Sequence, residues 1–129
     1  MNSVLNKDIV EYLFQNEEVR GKLTTLSSVI NDLDVKNIDL LKIDVEGAEY
    51  EVLQGIAPDD WGKIKQIVLE VHDLEGRLDK IQALLKSNGF NITVERNNLI
   101  PATLKTFNLY AINNWAYNLL IYTEVRLYI

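Results

Sequence analysis

With 129 residues, 47% of them apolar, the chain has room for one small domain with a real core. A net charge of −6 with scattered Lys and Arg argues against nucleic acid or an anionic membrane as the main partner. No cysteine and a single histidine exclude disulfides, zinc thiolate sites, thiol catalysis and multi-histidine metal centres.

Residues 1–20 carry Ile9, Val10, Leu13 and Phe14 at loose helical spacing and do not define an element. Their acids, Asp8, Glu11, Glu17 and Glu18, are unlike a secretory signal, and the chain reads as cytoplasmic. TTLSSVINDL places Leu26, Val29, Ile30 and Leu33 at i, i+3, i+4, i+7, so a helix is expected, capped by Thr24 or Thr25.

IDLLKID (38–44) is a short apolar run with Lys42 its only cation, which suits a strand covered on both faces. From Glu46 the period changes to helical: Val45, Ala48 or Glu49, Val52, Leu53 and Ile56 share a stripe. The acids Glu46, Glu49 and Glu51 are then expected in the first turns, where the helix dipole favours them. Gly55 and Pro58 end that helix. KIKQIVLEVHD (63–73) reads as a second strand and RLDKIQALLKSNGF (77–90) as a helix, with Leu78, Ile81, Leu84 and Leu85 inward and Gly89 closing it. NITVE (91–95) and FNLYAI (107–112) are two further strands joined by a loop with Pro101, expected as antiparallel neighbours. The tail WAYNLLIYTEVRLYI is apolar, interrupted by Glu124 and Arg126, too short to span a bilayer, and strand-like in its last residues.

The alternation of strands and helices implies an α/β fold built on βαβ units. In such sheets ligands sit beyond the carboxyl ends of the strands. Asp44 and Glu46 leave the first strand there, and Glu70, His72 and Asp73 leave the second, so neighbouring strands would bring them to one rim. Asp44 is either a ligand-facing carboxylate or the cap of the next helix, and Glu46 either that or a partner of the helix dipole. His72, beside carboxylates, is either a proton-transfer group or an idle strand end. Glu49, Glu51, Asp59 and Asp60 are expected at the solvated surface, and Trp61 and Trp115 in packing or edge positions. No metal site is expected, two carboxylates being a thin ligand set. The glycines at 21, 47, 55, 62, 76 and 89 form no G-x-G pair, so no phosphate-cradling loop can be written.

The runs TTLSSVINDLDVKNIDLLKIDVEGAEYEVLQGI, DWGKIKQIVLEVHD, GRLDKIQALLKSNGF and NLYAI together resemble the FkbM family of S-adenosylmethionine-dependent methyltransferases, in the form found within nonribosomal peptide and polyketide assembly lines. The resemblance covers about residues 20–112, and it implies a class I (Rossmann-like) methyltransferase fold. That fold's sheet has the order 3-2-1-4-5-7-6, with strand 7 antiparallel. IDLLKID, KQIVLEVHD, NITVE and FNLYAI would be strands 4, 5, 6 and 7. Residues 21–113 are thus expected to be the C-terminal half of the domain, with 1–20 unassigned and 114–129 an atypical tail. The family's strand-1 glycine motif and strand-2 acid have no counterpart in these residues.

By resemblance, the function is methyl transfer from S-adenosylmethionine to the hydroxyl of a small-molecule or carrier-bound acceptor, with N-methylation as the variant chemistry. His72 would be the base, Asp44 would orient acceptor or cofactor, and Asp44 with Glu46 would border the cofactor. The other reading is a non-catalytic remnant or interaction module. Either way strand 4 would have an open edge, so a partner supplying strands 1–3, or self-association, is expected.

Overall fold

The computed structural model describes residues 20–122. The loose helical spacing around Ile9 to Phe14 and the strand-like end of the tail lie outside the described residues. Helix α1 spans Leu26–Asp32, β1 Leu41–Ile43, α2 Glu49–Gln54 and β2 Gln66–His72. Then come α3 at Arg77–Ser87, β3 at Phe90–Arg96, β4 at Thr106–Asn113 and α4 at Asn114–Tyr122. Single 3-10 turns at Trp61–Lys63 and Ala102–Leu104 lead into β2 and β4.

The four strands form one sheet in the order β1-β2-β4-β3. β1 runs parallel to β2, with Ile43 opposite Leu69, and β4 is antiparallel to both its neighbours. This is the order implied by the resemblance for strands 4, 5, 7 and 6. β4 inserts between β2 and β3, so the two helix-linked strands β2 and β3 are parallel but not adjacent.

Alternation along β2 decides where the core lies. Ile67, Leu69 and Val71 are buried, whereas Gln66, Val68, Glu70 and His72 on the other side are only half-buried. The buried row meets Leu53 of α2, Ile81 and Leu85 of α3, and Leu109 and Ala111 of β4. Each such large side chain contributes about 1.5–3 kcal/mol by leaving water. Leu78 and Leu84 pack against the same cluster, as the stripe on α3 predicts. Trp61 closes one end, edge-on to Phe90 with ring centroids 6.0 Å apart. Asn113, at the end of β4, donates to the Ile64 carbonyl at 3.2 Å and fastens that end of the sheet to the chain entering β2.

The expectation that residues 38–44 form a strand covered on both faces is not met. The strand proper is three residues, continued only by a bridge between Ile38 and Ile64. Ile43 is buried but Lys42 is exposed, so β1 has the alternation of a strand covered on one side. The helix stripe on α1 is also shorter than its spacing predicts. Ile30 is buried and Leu26 packs against the core, but Leu33 falls at the C-cap and is 70% exposed. Of the two candidate caps it is Thr25 that serves, its hydroxyl accepting from the Ser28 N–H at 3.1 Å.

Residues 114–122 of the tail continue straight from β4 as a helix. No helix of the described residues is long and apolar enough to cross a membrane.

Candidate functional site

The chain leaves β1 at Ile43 and does not enter the next helix at once. Residues 44–48 make a turn, and Gly47 adopts φ +86°, a left-handed conformation that costs other residues about 1–2 kcal/mol. Helix α2 therefore starts at Glu49 with Ala48 in the N-cap position and no side-chain cap. Asp44 is not the cap. Its carboxylate is 71% exposed and pairs with Lys42 at 3.4 Å. Glu46 is exposed and precedes the helix, so it does not lie in the first turn.

The acid that meets His72 is Glu49, which the sequence places at the solvated surface. Its side chain is fully buried. One carboxylate oxygen lies 2.7 Å from His72 Nδ1 and accepts from the backbone N–H of Gly47 at 3.2 Å and of His72 at 3.4 Å. The other oxygen is buried without a hydrogen bond among the described residues and stands 3.5 Å from the Arg77 guanidinium. Arg77 in turn donates to the His72 carbonyl at 3.1 Å, so one cation braces both ends of the pair. Burial by itself pushes the Glu49 carboxyl up. The hydrogen bonds from the His72 ring and from backbone N–H groups outweigh it and hold the group below its ordinary value.

A signal for Glu49 was present in the helical stripe. Val45, Glu49, Val52, Leu53 and Ile56 share it, and a carboxylate on an otherwise apolar stripe either breaks the face or is buried with partners. Asp60 is likewise buried, against expectation. It accepts from Lys63 at 2.6 Å and from the Ser27 hydroxyl at 2.5 Å, and these hold its carboxyl below the usual range. Glu51 and Asp59 are exposed, as their composition suggests.

His72 stands at the carboxyl end of β2 with its ring 32% exposed and Nε2 3.7 Å from Glu70. Next to it the half-buried face of the sheet holds a shallow concavity of about 170 Å³, bordered by Lys42, Asp44, Val68, Glu70, Asn108 and Tyr110. Asp44 and Glu70 thus border the concavity, while His72 does not line it and stands beside Glu70 with Glu49 behind. Glu46 does not border the concavity. Asp73 turns away to cap α3, accepting from the Leu78 N–H at 3.0 Å. Among the described residues no group of three or more His, Cys, Asp or Glu could hold a metal ion.

The methyltransferase FkbM domain matches residues 4–92 of this sequence. The chain belongs to the FkbM methyltransferase family. Among curated relatives, the 31-O-demethyl-FK506 methyltransferase FkbM of Streptomyces tacrolimicus is 42% identical over 87 residues, covering 67% of this chain and 34% of its own length. Methyltransferase 1 of Beauveria bassiana is 36% identical over 110 residues, covering 84% of this chain and 44% of its own. The AMB antimetabolite synthetase AmbE of Pseudomonas aeruginosa is 38% identical over 110 residues, covering 81% of this chain and 5% of its own. The chain therefore spans less than half the length of these relatives. Among solved structures, the METTL16 MTase domain aligns with a TM-score of 0.48 at 14% identity, over 85% of this chain and 43% of that one.

The family implies S-adenosylmethionine, but the residues around this concavity do not by themselves enclose it. The concavity of about 170 Å³ is well below the roughly 300–1,000 Å³ of sites that enclose small molecules. No G-x-G turn is present to let backbone approach a nucleotide.

Proposed function

We propose that this chain is the second half of an S-adenosylmethionine-dependent methyltransferase that methylates a hydroxyl of a small-molecule or carrier-bound acceptor in the cytoplasm. The unit is residues 21–113, with 114–129 as an appended tail. Membership of the FkbM family supports the reaction class, and the position of His72 carries the assignment to residues. The chain's only histidine stands half-exposed at the strand end, beside the concavity, with a ring nitrogen turned from the core.

In this reading His72 takes the proton of the acceptor hydroxyl, and a proton acceptor at this position is worth about 10²–10⁴-fold in rate. Asp44 orients the acceptor or the cofactor from the β1 end of the rim. Glu46, on the same turn, borders the cofactor from outside the concavity. The opposite wall comes from the upstream half of the fold, supplied by a longer chain, a partner or a second copy.

Titration calorimetry of the 129-residue chain with S-adenosylhomocysteine, together with its solution mass, tests whether the wall is complete. No saturable binding is expected from a monomer, and tight binding by a monomer would overturn the half-site reading. In a protein extended by the upstream half, His72→Ala is expected to lower turnover at least a hundredfold. Turnover near that of the parent would remove His72 from the reaction.

A further inference from the structure

We infer that Glu49 is a positioning residue: it fixes the His72 ring as the Nδ1–H tautomer and so presents Nε2, bare of hydrogen, to the open rim. The inference rests on the reading of His72 as the base and adds what makes that base competent.

An ionised carboxylate only accepts hydrogen bonds, so a ring nitrogen 2.7 Å from it has to be the donor. Glu49 is kept ionised in a buried place by the N–H groups converging on one oxygen and by Arg77 beside the other. A neutral imidazole carries one N–H. If that hydrogen is on Nδ1, Nε2 is an acceptor, and Nε2 is the nitrogen that faces Glu70 at 3.7 Å, too far for a hydrogen bond. The acceptor hydroxyl then finds a lone pair where it approaches. The opposite tautomer would offer it an N–H and no base.

Backbone geometry makes the arrangement specific. Gly47 at φ +86° turns the chain so that its own N–H and the Glu49 carboxylate meet two residues later. The same oxygen takes the N–H of His72, so it grips both the backbone and the ring of the residue it orients. Arg77 reaches the His72 carbonyl from the start of α3, and the rim end of β2 is held from both flanking helices.

A single histidine makes the test direct. With ¹⁵N incorporated only in histidine, long-range proton–nitrogen correlation spectra of the 129-residue chain at a pH where the ring is neutral report its tautomer without assignment. The expected pattern is a protonated Nδ1 and a bare Nε2, the reverse of the preference of free imidazole side chains in water. A protonated Nε2 in the native chain would overturn the inference without any variant. Glu49→Leu, which keeps bulk and removes the acceptor, is expected to return the ring towards the solution mixture; an unchanged tautomer would overturn it. Should that variant not fold, Glu49→Asp withdraws the carboxylate by one methylene and is expected to lower the Nδ1–H population, with no change again counting against it. The spectra are independent of turnover. A fixed Nδ1–H with normal turnover in His72→Ala would leave the positioning intact and remove the base; loss of turnover with a bare Nδ1 would do the opposite.

Discussion

The Arg77 guanidinium stands 3.5 Å from a Glu49 oxygen that has no hydrogen bond among the described residues, inside a site from which Glu49 is wholly shut off from water. A buried charge whose countercharge is removed is strongly destabilising, while replacing both by apolar groups is close to neutral. Arg77→Met is therefore expected to cost about 3 kcal/mol in urea unfolding. Glu49→Leu combined with Arg77→Met should lose less than the two single losses added, because neither charge is then left unpaired, although the Gly47 and His72 N–H groups lose their acceptor. Losses that simply add would show that Arg77 contributes by packing its stem, not by balancing the charge.

Acid should weaken the fold through Glu49. Its carboxyl is lowered in the folded chain from an ordinary value of 4.5, so below that value the unfolded chain binds the proton more readily than the folded one. The stabilisation is complete above 4.5 and is lost as pH falls through the folded value. Asp60, lowered from 3.8 by Lys63 and Ser27, acts in the same direction further into acid. Urea midpoints measured down the acid limb should fall less steeply for Glu49→Gln than for the parent chain. Parallel limbs would mean that Glu49 is not the group titrating.

Gly47 is held by conformation, not by space. A Cβ there would meet only Arg77 Nη1, at an ordinary 3.7 Å, yet φ is +86°. Gly47→Ala is expected to cost about 1–2 kcal/mol from backbone strain alone. Gly47→Asn should cost less, because Asn tolerates the left-handed region better. Equal losses for both would point to a steric cause that the geometry does not contain.

Lys42 is the charge on an otherwise apolar β1, which among the described residues forms one edge of the sheet. A charged edge residue opposes pairing with other strands. Lys42→Val should raise self-association, read as an increase in solution mass with concentration at unchanged helix and strand content. A monomeric variant would show that the edge is protected by something else.

Sequence pattern located the four strands and helices α1 to α3, but not α4, which follows β4 where no helix was expected, nor the places where the local rules were overridden. QIVLEVH announces its two faces by alternation, and RLDKIQALLKS its inward stripe, because both report burial at neighbouring positions. The start of α2 was placed too early because the helical period runs through Gly47, whose left-handed turn leaves no mark on the spacing. Asp60 was misplaced because its partner Ser27 is 33 positions away, a contact that exists only after folding. Glu49 was the instructive case: its period put it on the buried stripe, its charge put it outside, and the fold resolved the conflict with His72 and Arg77. That Asp44, Glu70 and His72 leave neighbouring parallel strands at the same end was legible from strand order. The helper behind His72 was not.

The alternation along β2 has a further consequence for the electrostatics of the rim. Val68, Glu70 and His72 lie on the half-buried face, so the space beside the Glu70 carboxylate and the His72 ring is open to solvent. At the dielectric constant of water two unit charges 4 Å apart interact by about 1 kcal/mol, and at the effective value of 20 near a protein surface by about 4. On that scale the Glu70 carboxylate, 3.7 Å from the His72 ring, acts on the ring more weakly beside solvent than it would beneath a cover, with neither residue moving. In the proposed half-site, closing the second wall and strengthening the field at the rim would be a single event, and the uncovered sheet leaves Glu70 and His72 screened.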